Sequence, residues 1–233
     1  MARINVHKKV NPADFISISL NNDKMGFICS FSTPCITTCP IGVPCIGVCY
    51  ADCMEHRRKV VHESYLNNLD MMLKYPKDVE NAIVDYIDNE LYTLRYFRFN
   101  VAGDVETGDA TYLHLIMNVV KRCPNTKFLV YTKSKMWNRY KKLPKNLSLV
   151  YSYWEDWSFS NPYNRPTTNV MPEPDEEHME EATKGKLICR NCLNKEIKCD
   201  SCHICWNLKP GQNVWFFAHG THKNRVKGNS KNK

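Results

Sequence analysis

"LRYFRFNVAGDVETGDATYLHLIMNVVKRCPNTKFLVY", Leu94–Tyr131, decides the fold. Its first part, "LRYFRFNV", is aromatic, β-branched at its end and alternating, so it predicts a strand over Leu94–Val101. "DATYLHLIMNVVKRC" repeats apolar residues three and four apart and predicts a helix; "KFLVY" predicts the next strand. Two strands joined through a helix pair in parallel, with the helix packed outside the sheet.

The same alternation extends in both directions. Downstream come "KMWNRYKKL", a short helix, and "LSLVYSYW", a strand, with "VWFFAHG" (Val214–Gly220) as a last strand feeding back to the sheet. Upstream, "FISISL" (Phe15–Leu20) has strand character and a cysteine-rich loop follows it directly. Met54, Val61, Tyr65, Leu69 and Met72 form one face of a helix over Asp52–Tyr75, which Pro76 stops. A second helix starts near Asp78, with Val79, Ala82, Ile83, Tyr86 and Ile87 inside. The expected fold class is therefore α/β, a partial or complete (β/α) barrel with a cysteine-rich C-terminal extension. Residues 1–156 form the core, 157–186 a polar linker or excursion, 187–220 the second cysteine cluster and last strand, and 221–233 a basic tail. Barrel sites sit at the C-terminal ends of the strands. There the first cysteine loop, the Gly103–Glu106 turn, Thr132–Lys133, Glu155–Asp156 and His219 are expected to converge.

A chain of 233 residues, 43% apolar, buries one sizeable core. No long uncharged apolar run or secretion signal is present, so a soluble, cytoplasmic protein with no membrane partner is expected. The net charge of +8 is unevenly placed. "EPDEEHMEE" is acidic, whereas the tail "THKNRVKGNSKNK" has five Lys/Arg and no acid, and either touches nucleic acid or is simply solvated. "YTKSKMWNRYKK" interleaves aromatic and basic residues as a nucleic-acid groove does, but an amphipathic helix with a solvated face reads equally from it and is the simpler interpretation. With no phosphate loop, Gly-x-Gly-x-x-Gly turn or nucleophile elbow, phosphoryl transfer, dinucleotide chemistry and serine hydrolysis lack support.

Twelve cysteines in a chain without an export signal argue for metal rather than disulfides. Cys29, Cys35, Cys39, Cys45, Cys49 and Cys53 form one group in sequence, and Cys189, Cys192, Cys199, Cys202 and Cys205 another; Cys123 lies between. Cys39-x5-Cys45-x3-Cys49 would hold a four-iron cluster by three thiolates, with Tyr50 over it and one iron open to a chelating molecule. A zinc staple, closed by Cys35 or Cys53 as fourth ligand, is the alternative, and spacing leaves both standing. The second group has two CxxC steps, the last extended to Cys199-x2-Cys202-x2-Cys205, a spacing nearer iron–sulfur proteins than zinc ribbons. Cys189 or Cys192 would complete a four-thiolate site there. His203 either ligates or faces solvent.

"TCPIGVPCIGVCYA", "FRFNVAGDVETGDATYLHLIMNVVKRCPNTKFLVYTKS" and "KCDSCHICW" followed by "VWFFAHG" together resemble the phage gene product 88 family, a radical S-adenosylmethionine-like group. The resemblance covers about Cys29 to His219. It implies a radical-SAM-type barrel, a [4Fe-4S] cluster at its mouth on Cys39, Cys45 and Cys49, and an auxiliary cluster near the C-terminus. It implies S-adenosyl-L-methionine received at the turn bearing Gly103, Asp104 and Glu106, where Ala102 replaces the family's serine. As an enzyme, the protein would need a reductant such as flavodoxin or ferredoxin and a substrate that the sequence does not identify. The spacing is wider than the common CxxxCxxC, and "AGDVE" replaces Gly-Gly-Glu-Pro. A non-catalytic iron–sulfur or zinc module for electron transfer, sensing, or binding of nucleic acid or a partner is the competing reading. For Asp104 and Glu106, capping and turn formation compete with cofactor binding.

Overall fold

A computed structural model describes residues 1–5, 15–89, 95–107, 109–154, 157–219 and 226. Its elements begin with strands β1 (Ala2–Asn5), β2 (Phe15–Ile18) and β3 (Cys29–Phe31), then helices α1 (Tyr50–Arg57), α2 (Lys59–Lys74) and α3 (Pro76–Asn89). β4 (Tyr96–Phe99), α4 (Thr111–Arg122), β5 (Lys127–Thr132), β6 (Leu147–Ser152) and β7 (Thr167–Met171) follow. Short α5 (Met179–Thr183), β8 (Leu187–Ile188), α6 (Arg190–Leu193) and α7 (Cys199–Cys202) precede β9 (Asn213–Phe217).

Seven strands form one parallel sheet in the order β3-β4-β5-β6-β7-β9-β8, as the strand–helix–strand pattern requires. Alternation along β4 sends Phe97 and Phe99 to one face, where both are fully buried. Their rings pack on Phe128 of β5 at 5.9 Å, and Tyr112, Leu113, Ile116 and Val119 of α4 join the same core. Burying such side chains contributes about 1.5–3 kcal/mol each, so this helix-covered face is the principal source of stability. Arg98 pairs in register with Ser30 and Leu129 on the opposite face. There Leu129 and Val150 pack against Met25, Ile28 and Trp206, so the C-terminal cysteine segment covers the face that the helices leave.

Several expectations are corrected. The complete barrel is not formed among the described residues: β3 and β8 are the two edges and do not pair with each other. At three and two residues, neither edge offers a long ladder for closure. β2 does not lead directly into the cysteine loop; it pairs antiparallel with β1, and the short β3 intervenes. The single helix expected over Asp52–Tyr75 is two, broken at Arg58 (φ −125°, ψ 81°). The excursion over 157–186 contains β7, which pairs with β6 and β9 inside the sheet, and the short α5. "KMWNRYKKL" forms one 3-10 turn, Lys135–Arg139, capped by the Ser134 hydroxyl accepting from Met136 N–H. Glu155–Asp156 and, Val226 apart, the basic tail lie outside the described residues. No helix among those described is long and apolar enough to cross a membrane.

Candidate metal centres

The first cysteine loop leaves the C-terminal end of β3, and polar contacts bind it to the turn after β4. Ser32 Oγ accepts from Val101 N–H and Ala102 N–H at 3.2 and 3.3 Å. Thr38 Oγ1 accepts from Asp104 N–H at 3.0 Å, Thr38 O from Glu106 N–H at 3.0 Å, and the Tyr50 hydroxyl donates to Val101 O at 2.8 Å. Gly103 makes this approach feasible. It has φ +74°, and a Cβ there would lie 2.5 Å from both the Thr33 and Thr38 hydroxyl oxygens. The left-handed conformation and the lack of space each favour glycine. On the loop's other side the buried carboxylate of Glu55 accepts from Cys35 N–H at 2.9 Å and contacts His62 Nδ1 at 2.9 Å.

Cys39, Cys45 and Cys49 are gathered within electrostatic reach of one another, around Asp104 and Lys133. Burial pushes the Cys39 thiol up to about 12, with the Asp104 charge adding to it. Burial also raises Cys45, against the opposing pull of Lys133. Cys49 goes the other way, to about 6, because Cys35 hydrogen-bonds to its sulfur and the N–H groups of Ala51 and Asp52 at the start of α1 support the thiolate. Cys35, which spacing offered as a fourth ligand for zinc alongside Cys53, is the immediate neighbour of Cys49. Tyr50 does not cap the loop freely: its hydroxyl is held by Val101 O and its ring stands 5.1 Å from that of His219.

The acids of the turn are engaged within the protein. Asp104 is buried, and its Oδ1 accepts from Thr132 Oγ1 at 2.7 Å and Val105 N–H at 2.8 Å, while Oδ2 accepts from Lys133 N–H at 2.7 Å. Burial outweighs these donors and raises its carboxyl to about 6. Glu106 accepts from the Ser134 hydroxyl at 2.6 Å. Both therefore fasten the end of β4 to the end of β5.

The second group also assembles. Cys189 and Cys192 hydrogen-bond, Cys199 lies within electrostatic reach of Cys189 and Cys202, and Cys205 of Cys189 and Cys199. Cys192 Sγ also accepts from Phe217 N–H at 3.4 Å. The bond from Cys192 lowers Cys189 to about 6, with Lys24 assisting; burial raises Cys205 to about 12. Lys24 and Arg98 bring positive charge to these thiols; neither is marked by the cysteine spacing, since both lie far away along the chain. The segment is anchored by Asp200, whose Oδ2 accepts from Phe27 N–H at 2.9 Å, and by Trp206, buried on the sheet.

Cys29, Cys123 and His203 make contacts of other kinds. Cys29 is buried in β3 near Leu20 O and the Tyr86 hydroxyl, both at 3.7 Å. Cys123 is buried at the end of α4. His203 is half-buried, and its ring stacks on that of Tyr96 at 3.9 Å.

Among the described residues no three His, Cys, Asp and Glu side chains stand at metal-ligating spacing, and all twelve cysteines are free thiols. The donor chemistry nonetheless suits an iron–sulfur or zinc centre: soft thiols, largely removed from water, each set with a cation nearby to offset thiolate charge. No curated protein and no solved structure gives a match to this chain. A family model described as gene product 88 matches residues 7–208, which span both cysteine groups and most of the parallel sheet, and the chain belongs to the gene product 88 family.

Proposed function

We propose that this chain is an iron–sulfur protein of radical S-adenosylmethionine type. Cys39, Cys45 and Cys49 would hold one four-iron cluster with an open iron, and the C-terminal thiols a second. The observation that carries the reading is the gathering of those three thiols in a loop that follows the first parallel strand and is docked through Gly103 onto the turn after the second. When bound, such a cluster supplies one-electron reduction of S-adenosylmethionine.

The chain's own residues have separable roles in this reading. Lys133 offsets charge on Cys45 and Cys49, and its Nζ is held at 2.6 Å from Ser152 Oγ. Gly103 lets the turn approach the cysteine loop. Asp104 and Glu106, already hydrogen-bonded within the protein, act as positioning residues that hold the turn beside the cysteine loop.

Anaerobically prepared protein is expected to be brown, to contain iron and acid-labile sulfide, and after dithionite reduction to form 5′-deoxyadenosine from S-adenosylmethionine. Colourless protein with stoichiometric zinc would overturn the reading. The Cys35–Cys49 hydrogen bond favours a second one, in which Cys35 closes a four-thiolate site and the protein is a non-catalytic metal module. A loaded cluster that neither binds nor cleaves S-adenosylmethionine, and that loses metal on Cys35→Ala, would select it.

A further inference from the structure

At the end of the sheet opposite the cysteine loop, two clefts of about 220 Å³ each adjoin across Leu147, Ser148 and Leu208. They lie where β5 and β6 begin, beside the segment that follows Cys205. The first has a mixed wall: Tyr163, Leu143 and Pro166 offer apolar surface, Lys141 and Arg165 positive charge. The second is polar, lined by Lys127, Lys145, Lys209, Asn146 and Asn207. Between Asp109 and Glu155 the sequence has no acidic residue, so nothing in the segments forming β5 and β6 neutralises these lysines.

Arg165 is the informative group. It is 5% exposed, its Nη2 donates to Tyr140 O, and its Nε has no hydrogen-bond partner. Its guanidinium stacks over Tyr163 at 5.2 Å. Among the described residues no carboxylate pairs with Arg165, Lys141, Lys145 or Lys209, whereas Lys59, Lys74, Lys77 and Arg122 elsewhere all have one. A buried cation without an anion is costly, and an anion from outside would relieve that cost.

We propose that these two clefts form one groove that binds single-stranded nucleic acid, phosphates pairing with Arg165, Lys141, Lys145 and Lys209 and a base packing in the cleft walled by Tyr163. Charge complementarity selects a polyanion, and the join of an apolar-walled cleft to a polar one suits alternating base and phosphate better than it suits a duplex exterior. The assignment is independent of what metal the cysteines hold. It also differs from binding through the basic tail, because every residue it uses lies in the β5–β7 region or just after Cys205.

The test is fluorescence anisotropy of the full chain with a labelled oligothymidylate of about 15 nucleotides over roughly 50–200 mM salt. Wild type is expected to bind with affinity falling steeply with salt. Lys141, Lys145 and Lys209 are exposed, so their joint change to Gln should leave thermal unfolding in place. It should reduce affinity at least tenfold and flatten the log–log salt slope by about 2, the value for three phosphate contacts on a single strand. Arg165→Gln should weaken binding further, read separately because it can also perturb folding. No binding at the lowest salt, equal binding by the triple variant, or preference for duplex would each overturn the proposal.

Discussion

Gly103 and Asp104 are adjacent and decide different things. At Gly103 a methyl group would meet two threonine hydroxyl oxygens at 2.5 Å and a backbone carbonyl at 2.6 Å, on a backbone at φ +74°. Gly103→Ala should therefore cost about 2–4 kcal/mol, as strain plus separation of the loop from the turn. Gly42, at φ +78° with nothing within 4 Å of its Cβ position, should cost about 1–2 kcal/mol on the same change. Urea unfolding of the two variants reads the difference. Asp104 is held protonated more strongly in the folded protein, with a carboxyl near 6 against 3.8 when free. The stability that proton binding contributes is complete below about pH 4 and is lost as pH rises through about 6, up to about 3 kcal/mol. Asp104→Asn cannot titrate, so its deficit relative to wild type should shrink between pH 4 and pH 7 in paired melting curves. The glycine in this turn was legible because no other residue takes its place cheaply. The inward engagement of Asp104 was not, because Thr132 and Lys133 reach it from the next strand.

Asn68 shows what periodicity along an element misses. The apolar spacing of α2 selected Val61, Tyr65, Leu69 and Met72, yet the residues buried there are Tyr65, Asn68, Met71 and Met72. Asn68 is fully buried because its amide replaces a backbone partner: Oδ1 accepts from Ser17 N–H at 2.7 Å, and Nδ2 donates to Ser17 O and Ser32 O at 2.9 Å each. It joins β2 to the residue that follows β3. Asn68→Ala or Asn68→Leu strands three backbone groups and should cost about 2–4 kcal/mol in chemical denaturation, with no rescue by the larger apolar side chain. A rescue by leucine would show that burial, not bonding, is the residue's contribution. The strands that sequence revealed, β2, β4, β5, β6 and β9, are those rich in apolar residues. β7, "TTNVM", was hidden because its place depends on ladders to β6 and β9 on both sides rather than on its own side chains. The break at Arg58 was equally silent, since neither proline nor glycine marks it.

Across the whole molecule the two cysteine groups depend differently on the sheet. The first hangs from the C-terminal ends of β3 and β4 and touches the core through its loop anchors; the second is carried by a segment that also inserts Trp206 among Leu129, Val150 and Met25. Asp200 ties that segment back through Phe27 N–H, and Cys199 N–H and Asp200 N–H donate to Lys24 O and Met25 O at 3.1 Å each. These contacts use no metal, so the segment has a reason to stay on the sheet even when its thiols are empty. Changing Cys39, Cys45 and Cys49 together to alanine is expected to remove one centre's metal while the C-terminal centre remains. The Cys199, Cys202 and Cys205 triple change should do the reverse, and in that variant Trp206 should stay buried, read as unaltered tryptophan emission and slow exchange of the β5 amides. Metal analysis of both variants, with hydrogen exchange on the second, checks the two halves of the argument separately. Loss of all metal from either variant would mean that the groups form or fold as one site, and fast exchange across β5 in the second would mean that metal, rather than the tryptophan anchor, holds the C-terminal segment on the open face of the sheet.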